Sequence, residues 1–293
     1  MSRYKTPLRY PGGKQKLAPF ILEVIEKNGL LGGEYAEPYA GGAGVAMELL
    51  LAGKVAKIHL NDSSRAVYSF WHAILNHTEA FCRRIASASM TVDEWRRQKQ
   101  ILARPSKASA LDLGYSLFFL NRCNRSGIPN GGVIGGLKQT GEWKMDARFP
   151  RNRLIARIEA IVAKKRSIVI KNLDAEEFIR EYLPKLPKKT LVYCDPPYFH
   201  KANRLYLNHY QPEDHARIAK VIQKEMKRPW LVSYDGAPEV LGFYSKRQHF
   251  LYDLQYNAGK AYKGKEVFVF SDDLELPANS AILSIDKALR AVA

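Results

Sequence analysis

The residues of this sequence best suited to chemistry are Asp195-Pro-Pro-Tyr198, directly after the apolar run Leu191–Cys194. Pro196 and Pro197 stop a strand and fix the backbone beyond it. A carboxylate, the main-chain carbonyl of Pro196 and an aromatic ring are thereby held close together. Carboxylate and carbonyl both accept hydrogen bonds, so the pair suits an exocyclic amino group donating two hydrogens. The ring of Tyr198 offers a planar base a stacking face. In isolation the same four residues also read as a strand-end turn with a surface tyrosine. Their neighbours in the sequence decide between the two.

A second group is Glu37-Pro38-Tyr39-Ala40-Gly41-Gly42-Ala43-Gly44. Here a strand pattern runs into glycines and then a helix pattern. Backbone can approach a ligand closely at such a turn while the helix N-terminus faces it. Asp62 ends the next apolar run, 18 residues after Gly44. An acidic residue at that place can take both hydroxyls of a ribose. Together the two segments indicate a cofactor that contains adenosine. The glycines do not spell G-x-G-x-x-G, and no G-K-[ST] follows Gly41 at the distance a phosphate-binding loop needs, which disfavours a P-loop nucleotidase. Cys82, Cys123 and Cys194 form no C-x-x-C pair, and His59 and His72 lack metal-type partners, so no metal is expected. Cys194 reads as core packing; Ser233-Tyr234-Asp235 ends the next strand beside the pocket, and an Asp–Gly turn with Gly236 is slightly favoured over a role in lining the base pocket.

These groups need a frame. Short apolar runs alternate with helical patterns, the signature of an α/β sheet with crossovers. Candidate strands are Tyr35–Tyr39, Val55–Asn61, Ser167–Lys171, Thr190–Asp195, Trp230–Tyr234, His249–Tyr256 and Glu266–Ser271. Candidate helices are Lys16–Asn28, Gly44–Ala52, Arg65–Asn76, Ala175–Tyr182 and Pro212–Met226. The last two strands are separated by a loop alone and should pair as a hairpin. The expected fold is α/β, an open and mostly parallel sheet with one antiparallel strand at its C-terminal end. In such sheets ligands sit at the carboxyl ends of strands, where all these motifs fall.

The chain has 293 residues, 46% of them apolar and 26% charged, an ordinary globular composition. Its charge is not ordinary, at +17. Arg83 through Arg166 hold 18 Lys and Arg against 6 Asp and Glu, which is +12 of that total. A basic insert between near-neutral flanks should attract polyanions. Within it, Asn121–Arg153 combines Asn, Arg and glycines with little helical periodicity, and Asn and Arg are the side chains that read base edges. A loop-rich basic module suits nucleic acid better than a membrane surface, which would want an amphipathic helix. No run reaches the roughly 18 apolar residues of a membrane span, and no signal peptide is visible.

With these pieces assembled, the chain resembles the Dam-type (alpha-group) DNA adenine-N6 methyltransferases over nearly its whole length. Leu8-Arg-Tyr-Pro-Gly-Gly-Lys14 is similar to that family's opening segment over the methyl donor, Glu37–Gly44 to its glycine motif, and Asp195–Tyr198 to its catalytic motif without change. The resemblance implies a Rossmann-like methyltransferase sheet plus an inserted, mainly helical and loop DNA-recognition domain. It divides the chain into a catalytic domain (residues 1–76 and 167–293) and a target-recognition domain (residues 77–166). It implies S-adenosyl-L-methionine as cofactor, bound by Tyr10, Lys14, Glu37, Pro38, Ala40, Gly41, Gly42, Gly44, Asp62 and Asp174. Asp195, Pro196, Pro197 and Tyr198 would act on adenine N6 of a flipped-out base in double-stranded DNA. Arg9, Asn121, Arg122, Asn124, Arg125, Lys138 and Arg151 would bind that DNA, with Arg122 and Arg125 near bases and Arg151 and Arg153 on phosphates. Neither membrane nor metal is expected to take part, and the expected setting is cytoplasmic and nucleoid-associated. The segment Tyr115–Arg153 departs most from Dam itself, so no target sequence carries over. The same acceptor geometry would serve an RNA base or a protein amide; the large basic insert argues for DNA. Intact acceptor and cofactor positions argue against a DNA-binding protein that has lost its activity.

Overall fold

The computed structural model describes residues 5–9, 14–199, 210–256 and 262–277. The chain enters through α1 (Ala18–Lys27), β1 (Glu34–Glu37), α2 (Gly44–Leu51), β2 (Lys57–Asn61) and α3 (Arg65–Asn76). The insert follows as α4 (Thr78–Ala86), α5 (Val92–Leu102), α6 (Ala110–Cys123), a long irregular segment and α7 (Arg151–Val162). The sheet resumes with β3 (Ile168–Lys171), the short α8 (Ala175–Glu177) and β4 (Thr190–Cys194). It closes with α9 (Pro212–Glu225), β5 (Trp230–Asp235), α10 (Pro238–Phe243), β6 (His249–Tyr256) and β7 (Tyr262–Phe270).

The seven strands lie in the order β3-β2-β1-β4-β5-β7-β6. The pairings from β3 to β5 are parallel, and β7 runs antiparallel to both β5 and β6. This is the α/β sheet that the apolar pattern predicts. All five residues of β4 are buried, as expected for a central strand covered on both faces. Alternate residues divide between two cores. Leu191, Tyr193, Leu231, Phe268 and Phe270 face α1, α2 and α3, whereas Val192, Cys194, Val232, Val267 and Val269 face α8, α9 and α10. Helix starts follow local chemistry: Thr91 and Ser109 cap α5 and α6, and Gln211 with Asp214 forms a capping box before Pro212 in α9.

Two elements differ from expectation. Strand β7 starts at Tyr262 rather than Glu266, because Tyr262-Lys-Gly-Lys265 shows no apolar alternation and is made a strand by its ladder with β6. The expected helix Ala175–Tyr182 is α-helical only to Glu177 and continues as a π-turn over Phe178–Tyr182.

The insert is not hung on a linker. Its α6 lies against α3, where a Cβ added to Gly114 would come within 2.5 Å of the Ser69 carbonyl oxygen. Phe118 stacks on Phe70 of α3 with centroids 6.1 Å apart, and the insert helices share one apolar core with the sheet's near face. The DNA-reading expectations are thus carried on a base rigidly continuous with the catalytic sheet.

Candidate active site

Strand order reverses between β1 and β4, since β1 leads outward to β2 and β3 on one side and β4 joins it on the other. A crevice opens at the carboxyl ends of strands at such a switch point. The glycine turn after β1 and Asp195 after β4 are therefore neighbours for topological reasons, although more than 150 residues separate them in the chain.

Asp195 Oδ1 accepts a hydrogen bond from Ser233 Oγ at 2.8 Å and lies 3.5 Å from Lys14 Nζ. Among the described residues, its Oδ2 and the Pro196 carbonyl receive no hydrogen bond, leaving two acceptors free at the crevice. Its side chain keeps 24% of its exposure, yet burial pushes the carboxyl up to about 6, with Lys14 and Ser233 opposing and Glu266 reinforcing the shift. Tyr198 is buried, and its hydroxyl donates to Glu266 Oε1 at 2.9 Å. Lys14 Nζ sits 5.2 Å from the centroid of the Tyr198 ring. That ring is locked in place rather than standing open as a platform. The next ring, Phe199, is only partly buried, and its backbone N–H is held by Asp235 Oδ1 at 2.9 Å.

Lys14 itself is buried and ion-pairs with Glu266 as well as Asp195. Burial opposes its charge, but the two carboxylates outweigh it and raise its pKa. The sequence assigns Lys14 to the cofactor; in the structure it pairs with Asp195 and Glu266. Tyr10 lies outside the described residues.

The cofactor segments are tied together from behind. Asp62 Oδ2 accepts from Gly41 N and Oδ1 from Ser64 N, each at 2.9 Å, so its carboxylate closes the glycine turn. Gly41 has φ +45°, and Ala43 shares that left-handed value immediately before α2. Trp71 Nε1 donates to the Gly41 carbonyl at 3.0 Å. Burial pushes Asp62 up to about 6, with the two N–H donors opposing. Glu37 lies beneath the turn, accepting from Tyr35 OH and from Ala46 N in the first turn of α2. Burial pushes it up to about 8, with the hydrogen bonds from Tyr35 and Ala46 opposing. Pro38, Ala40, Gly41 and Gly42 are buried around it, and Gly44 is tight against Gln15. Asp174 is exposed at the end of β3, where it caps α8 by accepting from Glu176 N.

Sequence reading missed three residues that hold this arrangement. Asn61 Nδ2 donates to the Pro38 and Leu173 carbonyls at 3.0 and 3.1 Å, and its Oδ1 accepts from Leu173 N, so one side chain joins the ends of β1, β2 and β3. Ser233, for which the sequence slightly favours a turn over a place at the pocket, donates to Asp195. Glu266 was read only as the start of a strand. Its sequence signal was a carboxylate opening the apolar alternation Val267–Phe270. The His59 and Cys194 readings agree with their placement: His59 bonds Glu34 and Tyr182, and Cys194 is fully buried.

The insert residues separate into two sets. Asn121, Arg122 and Asn124 are buried, which corrects their expected contact with DNA. Asn121 exchanges hydrogen bonds with the backbone of Arg9, accepting from its N–H at 2.7 Å and donating to its carbonyl at 2.8 Å. Arg122 donates to the Arg148 carbonyl at 2.5 Å and the Pro7 carbonyl at 3.5 Å, and burial lowers its pKa to about 9. Asn124 accepts from Trp95 Nε1 and donates to the carbonyls of Ile128 and Pro129. Gly127, at φ +75°, has no room for a Cβ against the Arg9 carbonyl. In a polar, turn-rich sequence such residues bond backbone as readily as bases. Here they clamp residues 6–9 onto α6, with Arg157 adding a bond to the Thr6 carbonyl.

Arg125, Lys138 and Arg151 are exposed, and Arg9 is partly so. Arg151 nevertheless donates to the Ala88 carbonyl. Between Arg125 and Arg151 lies Trp143, 62% exposed, with Leu137 also exposed and Arg148 over the indole ring at 6.0 Å.

A family model described as D12 class N6 adenine-specific DNA methyltransferase matches residues 10–258. No curated protein matches the chain. Among solved structures, the rRNA methyltransferase aviRa from Streptomyces viridochromogenes is similar at 14% identity, covering 90% of this chain and 87% of that one with a TM-score of 0.39. At that score the likeness decides nothing about substrate. Among the described residues no helix is long and apolar enough to cross a membrane, and no cluster of His, Cys, Asp or Glu could hold a metal ion.

Proposed function

Because the chain belongs to the D12 class of N6 adenine-specific DNA methyltransferases, we propose that Asp195 and the Pro196 carbonyl are the acceptors for the two hydrogens of adenine N6. The established reaction moves a methyl group from S-adenosylmethionine to that nitrogen in DNA. The bound donor supplies a methyl on a sulfonium, already a good leaving group. What remains for the protein is positioning and electrostatics. Two acceptors at one edge of the amino group align its lone pair and stabilise the positive charge that grows on nitrogen. The observation that carries this reading is the pair of free acceptors at the switch point, Asp195 Oδ2 and the Pro196 carbonyl.

The crevice residues fit the donor. The left-handed residues Gly41 and Ala43 form the turn that leads into the N-terminus of α2. Asp62 is partly exposed and retains lone pairs for a ribose diol beyond the two backbone donors it serves. Glu37 acts from below, shaping the turn. Asp174, exposed after β3, is our candidate for the adenine side. Ser233 fixes Asp195, Pro197 keeps the turn rigid, and Tyr198 and Phe199 wall the base site.

An amino group inside a duplex cannot reach such a crevice, so the target base leaves the stack. Residues 77–166 form the DNA-facing part, and residues 1–76 and 167–293 the catalytic part. The charge of the insert supports double-stranded DNA, and with it a nucleoid-associated setting. Arg125, Lys138, Arg148 and Arg151 supply cations, and Trp143 with Leu137 supplies an apolar wedge of the kind that enters base steps. The test is transfer of a labelled methyl group to duplex DNA, single-stranded DNA, RNA and protein. Preference for duplex DNA supports the reading, and preference for RNA overturns it.

A further inference from the structure

Among the described residues, Glu266 is the most deeply buried carboxylate. It lies in β7, 0% exposed, and among the described residues its carboxylate accepts from donors in three separate parts of the chain. Tyr198 OH reaches Oε1 at 2.9 Å, while Lys14 Nζ and Tyr252 OH both bond Oε2. A buried carboxylate costs several kcal/mol unless it is paired and hydrogen-bonded. This one is paired with the lysine that also touches the catalytic carboxylate.

We propose that Glu266 is a positioning residue for methyl transfer: it draws Lys14 away from Asp195 and pins Tyr198, leaving Asp195 free to accept the amino hydrogens of the substrate. The inference rests on the reading of Asp195 as acceptor. Lys14 Nζ stands 3.5 Å from Asp195 Oδ1, too long for a strong ion pair, while its closer partner is Glu266. Without a second carboxylate, the ammonium would close on Asp195 and engage the oxygens the substrate needs. The hydroxyl of Tyr198 would lose its acceptor at the same time, releasing the ring next to the acceptor carbonyl.

Asp195 is faced by Lys14 from the segment before α1, Tyr35 and Glu37 from β1, Tyr193 and Cys194 from its own strand, Ser233 and Tyr234 from β5, Tyr252 from β6 and Glu266 from β7. Among these, Glu266 raises the pKa of Asp195 and Lys14 lowers it. Removing the charge of Glu266 therefore moves the acid limb of the rate profile to lower pH. A role in packing alone would leave that limb in place.

The experiment uses the full-length enzyme with DNA and measures donor affinity, single-turnover rate and the pH profile of that rate. Glu266→Gln keeps size and hydrogen bonding but removes the charge. The expected result is a rate lower by roughly ten- to a hundredfold, donor affinity nearly kept, and an acid limb displaced downward. Tyr252→Phe removes one donor and keeps the charge, so its limb stays at the parent position. Should Glu266→Gln fail to fold, Glu266→Asp withdraws the charge by one methylene and shifts the limb in the same direction by less. A folded Glu266→Gln enzyme with the parent's rate, or a slowed one with an unmoved limb, overturns the inference. Asp195→Ala, run beside it, tests the underlying reading separately: an active Asp195→Ala enzyme sinks that reading whatever Glu266 does.

Discussion

Replacing Asp195 by Asn should make the protein more stable and nearly inactive, and the gain in stability should depend on pH. Burial holds the Asp195 carboxyl at about 6 against an ordinary 3.8. A shift of about two units corresponds to roughly 3 kcal/mol, and partial exposure of the side chain reduces this to about 1–3 kcal/mol. The sign follows from proton linkage. The folded protein binds this proton more tightly than the unfolded chain, so stability declines as pH rises from about 4 to about 6 and stays low above that. Asn carries no charge and escapes the penalty, while Lys14 keeps Glu266 as its partner. At pH 8 the variant should therefore melt higher by roughly 2–12 °C, at about 2–4 °C per kcal/mol for a chain of this size. Towards pH 4 the difference should vanish, because the parent carboxyl is then protonated as well. Methyl transfer should fall by about 10²–10³ or more, the usual loss when a preorganised acceptor is removed. Thermal unfolding at several pH values, with labelled-donor turnover alongside, checks both halves. A lower melting temperature at pH 8, or a gain that persists unchanged to pH 4, would refute the reasoning.

Three further outcomes are expected. Asp62→Ala should weaken donor binding in the absence of DNA by roughly ten- to a hundredfold, from a lost charge-assisted contact of about 1.5–3 kcal/mol; calorimetric titration measures it, and unchanged affinity would remove Asp62 from the cofactor site. Asn121→Ala should cost about 1–3 kcal/mol in denaturant unfolding, since the Arg9 N–H and carbonyl lose their buried partner; wild-type stability would contradict the clamp. Arg125→Ala and Lys138→Ala should each lower the salt slope of duplex binding by about one if they sit on phosphates, whereas Arg122→Met should leave that slope alone and show its effect in unfolding.

The fold was legible because its signals are local. Apolar runs marked all seven strands, Pro212 marked the start of α9, and the strand-end positions of Gly41, Asp62 and Asp195 followed from the alternation of elements. The base of the site was not legible in the same way. Asn61, Ser233 and Glu266 act through partners 23 to 252 residues away, and no local pattern distinguishes a buried, bonded Asn or Glu from a surface one. The same limit explains Asn121, Arg122 and Asn124. Their residue types suit base edges, but the clash of Gly127 with Arg9 and the burial of α6 turn them toward the backbone of the opening segment. Trp143 stands in the same basic segment, and only the fold shows that its ring lies outside.

The most direct test of the whole account is modified-base sequencing of plasmid DNA from cells that express the chain, beside cells expressing Asp195→Ala. N6-methyladenine at one recurring sequence with the parent chain, and none with the variant, is the predicted result. Unmodified adenines with the parent, or equal methylation by the variant, would contradict it.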